Sequence, residues 1–242
     1  SLYISGNVMS RAKVVTTSLD SFAFVLHQNH TIDSVYVNGA KRNFVRQDSL
    51  VKATAGTPIL QNQLFDAVVY YKGTCPSGSA GAIGNGYNMD TSPSWGNEVT
   101  WSLSESFVAY EWFPCKQDLR DKIDSSWVFA TTDSVNMVGS NGLLKNVVTI
   151  GNKKRYEWKS KYAIDYYLIS IATAKYKPYI LYAKPQYLLN DSIYIQNFIY
   201  DNAINNTGWN TQKAALNKIV PTLELQSKLF GMYPFYKEKY GH

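Results

Sequence analysis

The sequence predicts a mainly β fold, a saddle or sandwich of short strands, with a helix only near its end. Three observations carry that expectation. Tyr occurs 19 times and aromatic residues make up 14% of the 242 residues, a composition suited to half-buried positions on pleated sheets. Apolar and polar residues alternate with period two in one short run after another, and turn residues separate the runs. A helical spacing of apolar residues is confined to the stretch after residue 210.

The elements follow in order. Phe22, Phe24 and Leu26 alternate with Ala23, Val25 and His27 as a strand. Asp33-Ser34-Val35-Tyr36-Val37 runs into Asn38-Gly39, a strong short-range hairpin signal. Leu50-Val51-Lys52-Ala53 and residues 65–71 continue the pattern. Residues 76–86 read as loop: their glycines are followed by neither a helix pattern nor the Lys of a phosphate cradle, so a nucleotide site is not expected there. Further strands are expected at 126–131, 146–150, 155–159, 166–172, 179–182 and 192–200. Leu216, Ile219, Val220, Leu223 and Phe230 then fall at helical spacing. Asn210 or Thr211 is the expected cap, Gly231 the stop, and Pro221 should kink or split the helix.

Composition excludes several classes. Apolar residues make up 45% of the chain, ordinary for a packed globular protein. Net charge is +6, but the densest basic run, Lys153-Lys154-Arg155, is too short for a nucleic-acid surface, and no nucleic-acid partner is expected. No apolar run approaches the ~20 residues of a membrane helix. Ser1-Leu2-Tyr3 reads as strand, so any targeting segment is expected upstream. Cys75 and Cys115 lie far apart and outside any C-x-x-C spacing. A disulfide is expected ahead of two free thiols. It would close a loop of about 40 residues, add roughly 4 kcal/mol, and place the protein outside the cytosol, secreted, periplasmic or on the cell surface.

Several constellations have a bland explanation. His27 and His30 would face opposite sides of a strand, with no cysteine near in sequence, and read as turn and strand-end residues rather than metal ligands. There is no G-x-S-x-G elbow for a serine hydrolase. Asp118, Asp121 and Asp124 lack the order of a calcium loop and read as a solvated helical face with Arg120 and Lys122.

The stretch Trp101-Ser102-Leu103-Ser104-Glu105-Ser106-Phe107-Val108-Ala109-Tyr110-Glu111-Trp112-Phe113-Pro114-Cys115 differs from these. It combines an acidic residue, an aromatic cluster and a Pro-Cys step. It resembles the N-terminal β domain of the aminopeptidase N family of zinc aminopeptidases, the M-one peptidases. There a Gln-x-Glu step precedes an aromatic-Pro-Cys turn and an acidic segment. Leu103 stands where many members have Gln, and Gln117 where many have Asp. Ser140-Asn141-Gly142-Leu143-Leu144 resembles the family's "SNG" turn. Tyr156-Glu157-Trp158 and Tyr167-Leu168-Ile169-Ser170 resemble its closing strands. Phe230-Gly231-Met232-Tyr233-Pro234-Phe235-Tyr236-Lys237-Glu238-Lys239-Tyr240-Gly241-His242 resembles the stretch before its G-x-M-E-N motif.

The resemblance implies a β saddle or sandwich over residues 1–174, then over 175–242 the first strands and helix of a thermolysin-like α+β catalytic domain. It implies a parent zinc aminopeptidase that removes N-terminal residues from peptides. Members hold zinc with H-E-x-x-H, whose two imidazoles share one helix face while the Glu acts as base on metal-bound water. This sequence has no His-Glu pair, so the zinc motif is expected beyond His242. No catalytic residue and no metal ligand is therefore expected here, and zinc is expected only in the full-length parent. Glu105 falls at the position that receives the substrate's α-ammonium group. The expected partners are peptide substrates and the missing catalytic domain. The alternative is a stand-alone β-sandwich binding or adhesion module for a glycan or protein.

Overall fold

A computed structural model describes residues 2–76 and 85–242. The chain divides into two compact units. One is built from residues 1–89, 102–122 and 165–168, the other from 90–101, 123–164 and 169–242. The expected boundary at 174/175 thus falls within the second unit.

The first unit is a β-sandwich. Its strands are β1 (Tyr3–Lys13), β2 (Ser18–Val25), β3 (His30–Val37), β4 (Ala40–Arg42), β5 (Phe44–Gln47), β6 (Leu50–Leu60) and β7 (Leu64–Thr74). They form two antiparallel sheets, ordered β1-β7-β3-β4 and β2-β6-β5. Alternate residues of β6 and β7 are buried, as period-two patterning demands of a strand with one face on a core. Val37, Phe65 and Ala67 from one sheet and Phe22, Ala55 and Ile59 from the other share a single apolar cluster. The β3–β4 hairpin closes on Asn38 and Gly39 with φ +49° and +78°. Asn tolerates and Gly prefers this left-handed pair, which matches the twist of the flanking strands.

The chain passes between units within β8 (Tyr87–Thr91) and near the end of β9 (Glu98–Ser102). The second unit adds β10 (Ser126–Asp133), β11 (Met137–Ser140), β12 (Leu143–Ile150), β13 (Lys153–Ser160), β14 (Ile171–Ala174), β15 (Tyr176–Ala183), β16 (Ile193–Tyr200) and β17 (Tyr240–Gly241). β13 is central to a three-stranded sheet with β10 and β12, β14 pairs with both β11 and β9, and β16 lies between β15 and β17. Three helices complete it: α1 (Asp201–Ile204), α2 (Trp209–Asn217) and α3 (Ile219–Phe230). Leu223 of α3 packs with Ala183, Ile193 and Ile195 in one core. Tyr156, Trp158 and Val138 anchor another.

Several expectations need correction. Residues 166–168 form a 3-10 turn, and the strand begins only at Ile171. The expected helical face around Asp118 and Asp121 is turn and bend, its charges taken up locally by an Asp118–Arg120 pair at 3.1 Å and a Lys116–Asp121 pair. The C-terminal helix is split as expected, but at Lys218 rather than at Pro221. Pro221 lies in the first turn of α3, where its missing N–H has no partner to lose. The first part of that helix, α2, starts at Trp209, with Gly208 rather than Asn210 or Thr211 at the N-cap position. Cys75 and Cys115 are two free, buried thiols rather than a disulfide. Most of the expected loop at 76–86 lies outside the described residues.

Candidate functional site

The residues around Glu105 all belong to the first unit. After β9 the chain enters a turn at Ser104, forms a 3-10 turn at Ala109–Glu111, and then runs beside β2, where Cys115 and Val25 exchange two backbone hydrogen bonds of 2.9 and 3.1 Å. The aromatic cluster that marks this stretch in the sequence is its fastener. The Trp112 indole N–H donates to Ser104 Oγ at 2.9 Å. The Tyr71 hydroxyl, on β7, donates to the Trp112 carbonyl at 2.7 Å. Trp112 stacks on Tyr87 and meets Phe113 edge-on, with centroids 5.5 and 4.5 Å apart. The Tyr166 hydroxyl donates to the Ser106 carbonyl. A buried Tyr or Trp needs a partner for its polar end, and here each such partner is a backbone or hydroxyl group of the turn. Burial accordingly holds the Tyr71 phenol far above its ordinary range.

The two glutamates of this stretch have opposite fates. Glu111 is 8% exposed, and its Oε2 accepts the Gly86 N–H at 2.7 Å. Glu105, six residues earlier, is exposed on a turn whose neighbours Ser104 and Ser106 are both fastened from below. The turn therefore presents a carboxylate to solvent, and among the described residues no partner engages it.

His30 serves the framework. Its Nε2 bonds the Glu111 carbonyl at 2.7 Å, and its ring meets Tyr71 edge-on at 5.7 Å. Burial lowers the proton affinity of both His27 and His30. Arg46 binds the His30 and Leu26 carbonyls at 2.7 and 2.8 Å, fixing the turn between the two histidines. Sequence reasoning missed Arg46 and Glu111, because nothing local to either residue marks a buried charge. The thiols are inert in this setting. Burial, reinforced by the Glu111 carboxylate, pushes Cys75 up to about 12, and burial raises Cys115 as well. Only the thiolate is the nucleophile.

The remaining motif stretches meet in the second unit. Lys239 is 8% exposed, and its ammonium donates to the Ser140 carbonyl at 2.5 Å and to that of Gly142. It also lies 4.3 Å from the centre of the Trp158 ring. Asn141 Oδ1 accepts the Ser170 N–H at 2.7 Å, and Ser140 Oγ donates to the Ser170 carbonyl at 2.6 Å. Glu238 accepts from Ser160 Oγ and the Lys161 N–H at 2.9 and 2.6 Å. Four separate stretches of sequence are thus one junction. Burial lowers Lys239 to about 8. Among the described residues no group of three His, Cys, Asp or Glu side chains is placed to hold a metal ion.

This architecture has counterparts among solved structures. An M1 zinc metallopeptidase from Deinococcus radiodurans superposes with TM-score 0.79 at 16% identity, over 99% of this chain and 51% of that one. The fold is that of the N-terminal part of an M1 zinc metallopeptidase. A mutant of the Deinococcus enzyme bound to a Tyr-Ser-Ala substrate matches with TM-score 0.76 at 18% identity, over 99% of this chain and 51% of that one. Native yeast LTA4 hydrolase matches with TM-score 0.68 at 19% identity, over 99% of this chain and 34% of the hydrolase. The chain therefore spans about half the length of the Deinococcus M1 structures it resembles, or less for the yeast hydrolase. No family model and no curated protein sequence matches it.

Proposed function

We propose that this chain is the N-terminal, non-catalytic part of a zinc aminopeptidase, and that Glu105 receives the α-ammonium group of the peptide substrate. The observation that carries the reading is the Glu105 turn: an exposed carboxylate, fastened on both sides by buried aromatic side chains, within a fold shared with M1 metallopeptidases. A positioned carboxylate can fix a free N-terminus by a charge-assisted hydrogen bond worth about 1.5–3 kcal/mol. On this reading residues 1–174 wall the active-site cleft and 175–242 begin the catalytic domain. Zinc is held by the remaining half of the parent and not by this segment. A location outside the cytosol belonged to the same expectation. It rested on a Cys75–Cys115 bond, and both thiols are free.

The test is made in the full-length protein. Glu105→Ala should lower kcat/KM for an aminoacyl arylamide about ten- to a hundredfold, with Glu105→Gln intermediate. Unchanged turnover overturns the role of Glu105. The parent assignment is tested separately by reading the coding sequence past His242, where an H-E-x-x-H motif is expected.

A second reading, a stand-alone binding module, is favoured by one specific observation. Trp127 and Phe129 on β10 are 52% and 57% exposed, with the Lys159 ammonium 3.7 Å above the Trp127 ring. A stop codon directly after His242 would favour it.

A further inference from the structure

A depression of about 510 Å³ lies wholly within the first unit and plays no part in the reading above. Its volume falls in the range of roughly 300–1,000 Å³ typical of small-molecule sites. Its walls come from three places: the β3–β4 hairpin, the turn between β6 and β7, and the part of β6 where pairing with β2 jumps from Thr54 to Ile59. Ala55 and Ile59 give it an apolar floor that belongs to the core of the sandwich. Among the described residues its lining holds one cation, Arg42, and no carboxylate.

The decisive group is Arg42, the last residue of β4, which is half-buried. Its guanidinium lies across Gly56: a Cβ at that position would sit 2.5 Å from the guanidinium carbon, and Gly56 takes φ +84°. Only glycine leaves room for the guanidinium there. Arg42 Nε is enclosed and has no hydrogen-bond partner. The two terminal nitrogens are not so enclosed, and among the described residues no ion pair takes them up. They are the donors that Arg42 brings to the depression. The two amides of the lining are held with their donor ends unspent. Asn38 Oδ1 accepts the Asp66 N–H at 3.0 Å, and Gln63 Oε1 accepts the Leu60 N–H at 2.9 Å. A backbone N–H only donates, so each bond fixes which end of the amide is oxygen. Both residues are exposed, and among the described residues no hydrogen bond engages Asn38 Nδ2 or Gln63 Nε2. The Asp66 carboxylate, whose backbone holds Asn38, is itself committed to Arg11, with two bonds of 2.7 Å. The unspent side-chain nitrogens of the lining are therefore all donors, grouped with an unpaired cation.

We propose that this depression binds a small oxyanion, a carboxylate or phosphate group. The terminal nitrogens of Arg42 hold its charge as a planar fork, and the Asn38 and Gln63 amides donate to its remaining oxygens. The proposal does not depend on the peptidase reading.

Calorimetric titration of the protein expressed from its complete coding sequence tests it, at low ionic strength, with inorganic phosphate and acetate as the two probes. At least one should bind saturably, with Kd in the millimolar range or tighter, and the tighter of the two tells which group the site prefers. Chloride, which has charge but no array of oxygens, should bind at least tenfold more weakly. Arg42→Met should weaken the tighter probe at least tenfold. Asn38→Asp and Gln63→Glu keep the oxygen that accepts the backbone N–H and replace the free amide nitrogen with negative charge. Each should weaken binding at least fivefold, and they carry the test should Arg42→Met lose its native circular dichroism. An anion bound elsewhere in the protein, at a metal for example, would not respond to these substitutions. Three results overturn the proposal: no saturable binding of either probe, chloride binding as tightly as they do, or affinity unchanged in a folded variant.

Discussion

The Ser104–Ser106 turn of the first unit and the Ser140–Gly142 turn of the second each carry a charged side chain at a bend in the backbone, and they use it in opposite ways. At Ser140–Gly142 the charge comes from outside: Lys239 reaches in from far along the chain and spends its ammonium on two carbonyls. Both charge and turn are internal and satisfied. At Ser104–Ser106 the bonds come from neutral groups, Trp112 and Tyr166, and the charge on Glu105 is left exposed. Engaged charge marks structure, whereas a free charge on a rigid support is available for a ligand.

The comparison can be broken at several points. Gly142 should show the largest effect. It has φ +73°, and a Cβ there would lie 2.1 Å from the Lys159 carbonyl oxygen, so backbone must move. Gly142→Ala is expected to cost about 3 kcal/mol or more, read as a lower urea midpoint. Lys239→Met comes next. It strands two carbonyls and should cost about 1–3 kcal/mol at neutral pH.

The Lys239 ammonium also carries a signature in pH. Its folded value of about 8 lies below the ordinary 10.5, so between these the unfolded chain binds more protons and stability gains with rising pH. The stability difference between wild type and Lys239→Met should therefore grow in favour of wild type from about pH 8 to 10.5, by at most about 1.4 kcal/mol per pH unit. A flat difference would mean the ammonium is not held as described. Glu111→Gln should be milder, about 1 kcal/mol, because an amide oxygen can still accept the Gly86 N–H but without charge. Glu105→Gln should leave the urea midpoint unmoved while affecting substrate binding in the parent enzyme. A stability loss there would sharpen the comparison against Glu105, by showing its charge to be engaged after all.

Legibility in the sequence varied with the range of the interaction. The hairpin at Asn38-Gly39 could be read because the left-handed backbone it needs is a property of those two residues. The helix near the end could be read from Leu216, Ile219, Val220 and Leu223, since helical spacing is also local. Its break was misplaced because a proline in a first turn costs nothing, and only the observed start of α3 shows that Pro221 is in one. The short run 166–172 has strand-like alternation, yet Tyr166 lies in a 3-10 turn because its hydroxyl is committed to Ser106 across sixty residues of chain.

The sequence by itself determined the mainly β architecture and the four stretches that set this chain apart, because alternation, turn chemistry and motif order are written along the chain. Only the tertiary structure decided which charges are free. It put Lys239 under the Ser140–Gly142 turn, buried Glu111 and left Glu105 exposed, and kept Cys75 and Cys115 as separate buried thiols. Each of these depends on what lies across the fold from a residue, and burial and hydrogen-bond partners are settled there rather than by its neighbours in sequence.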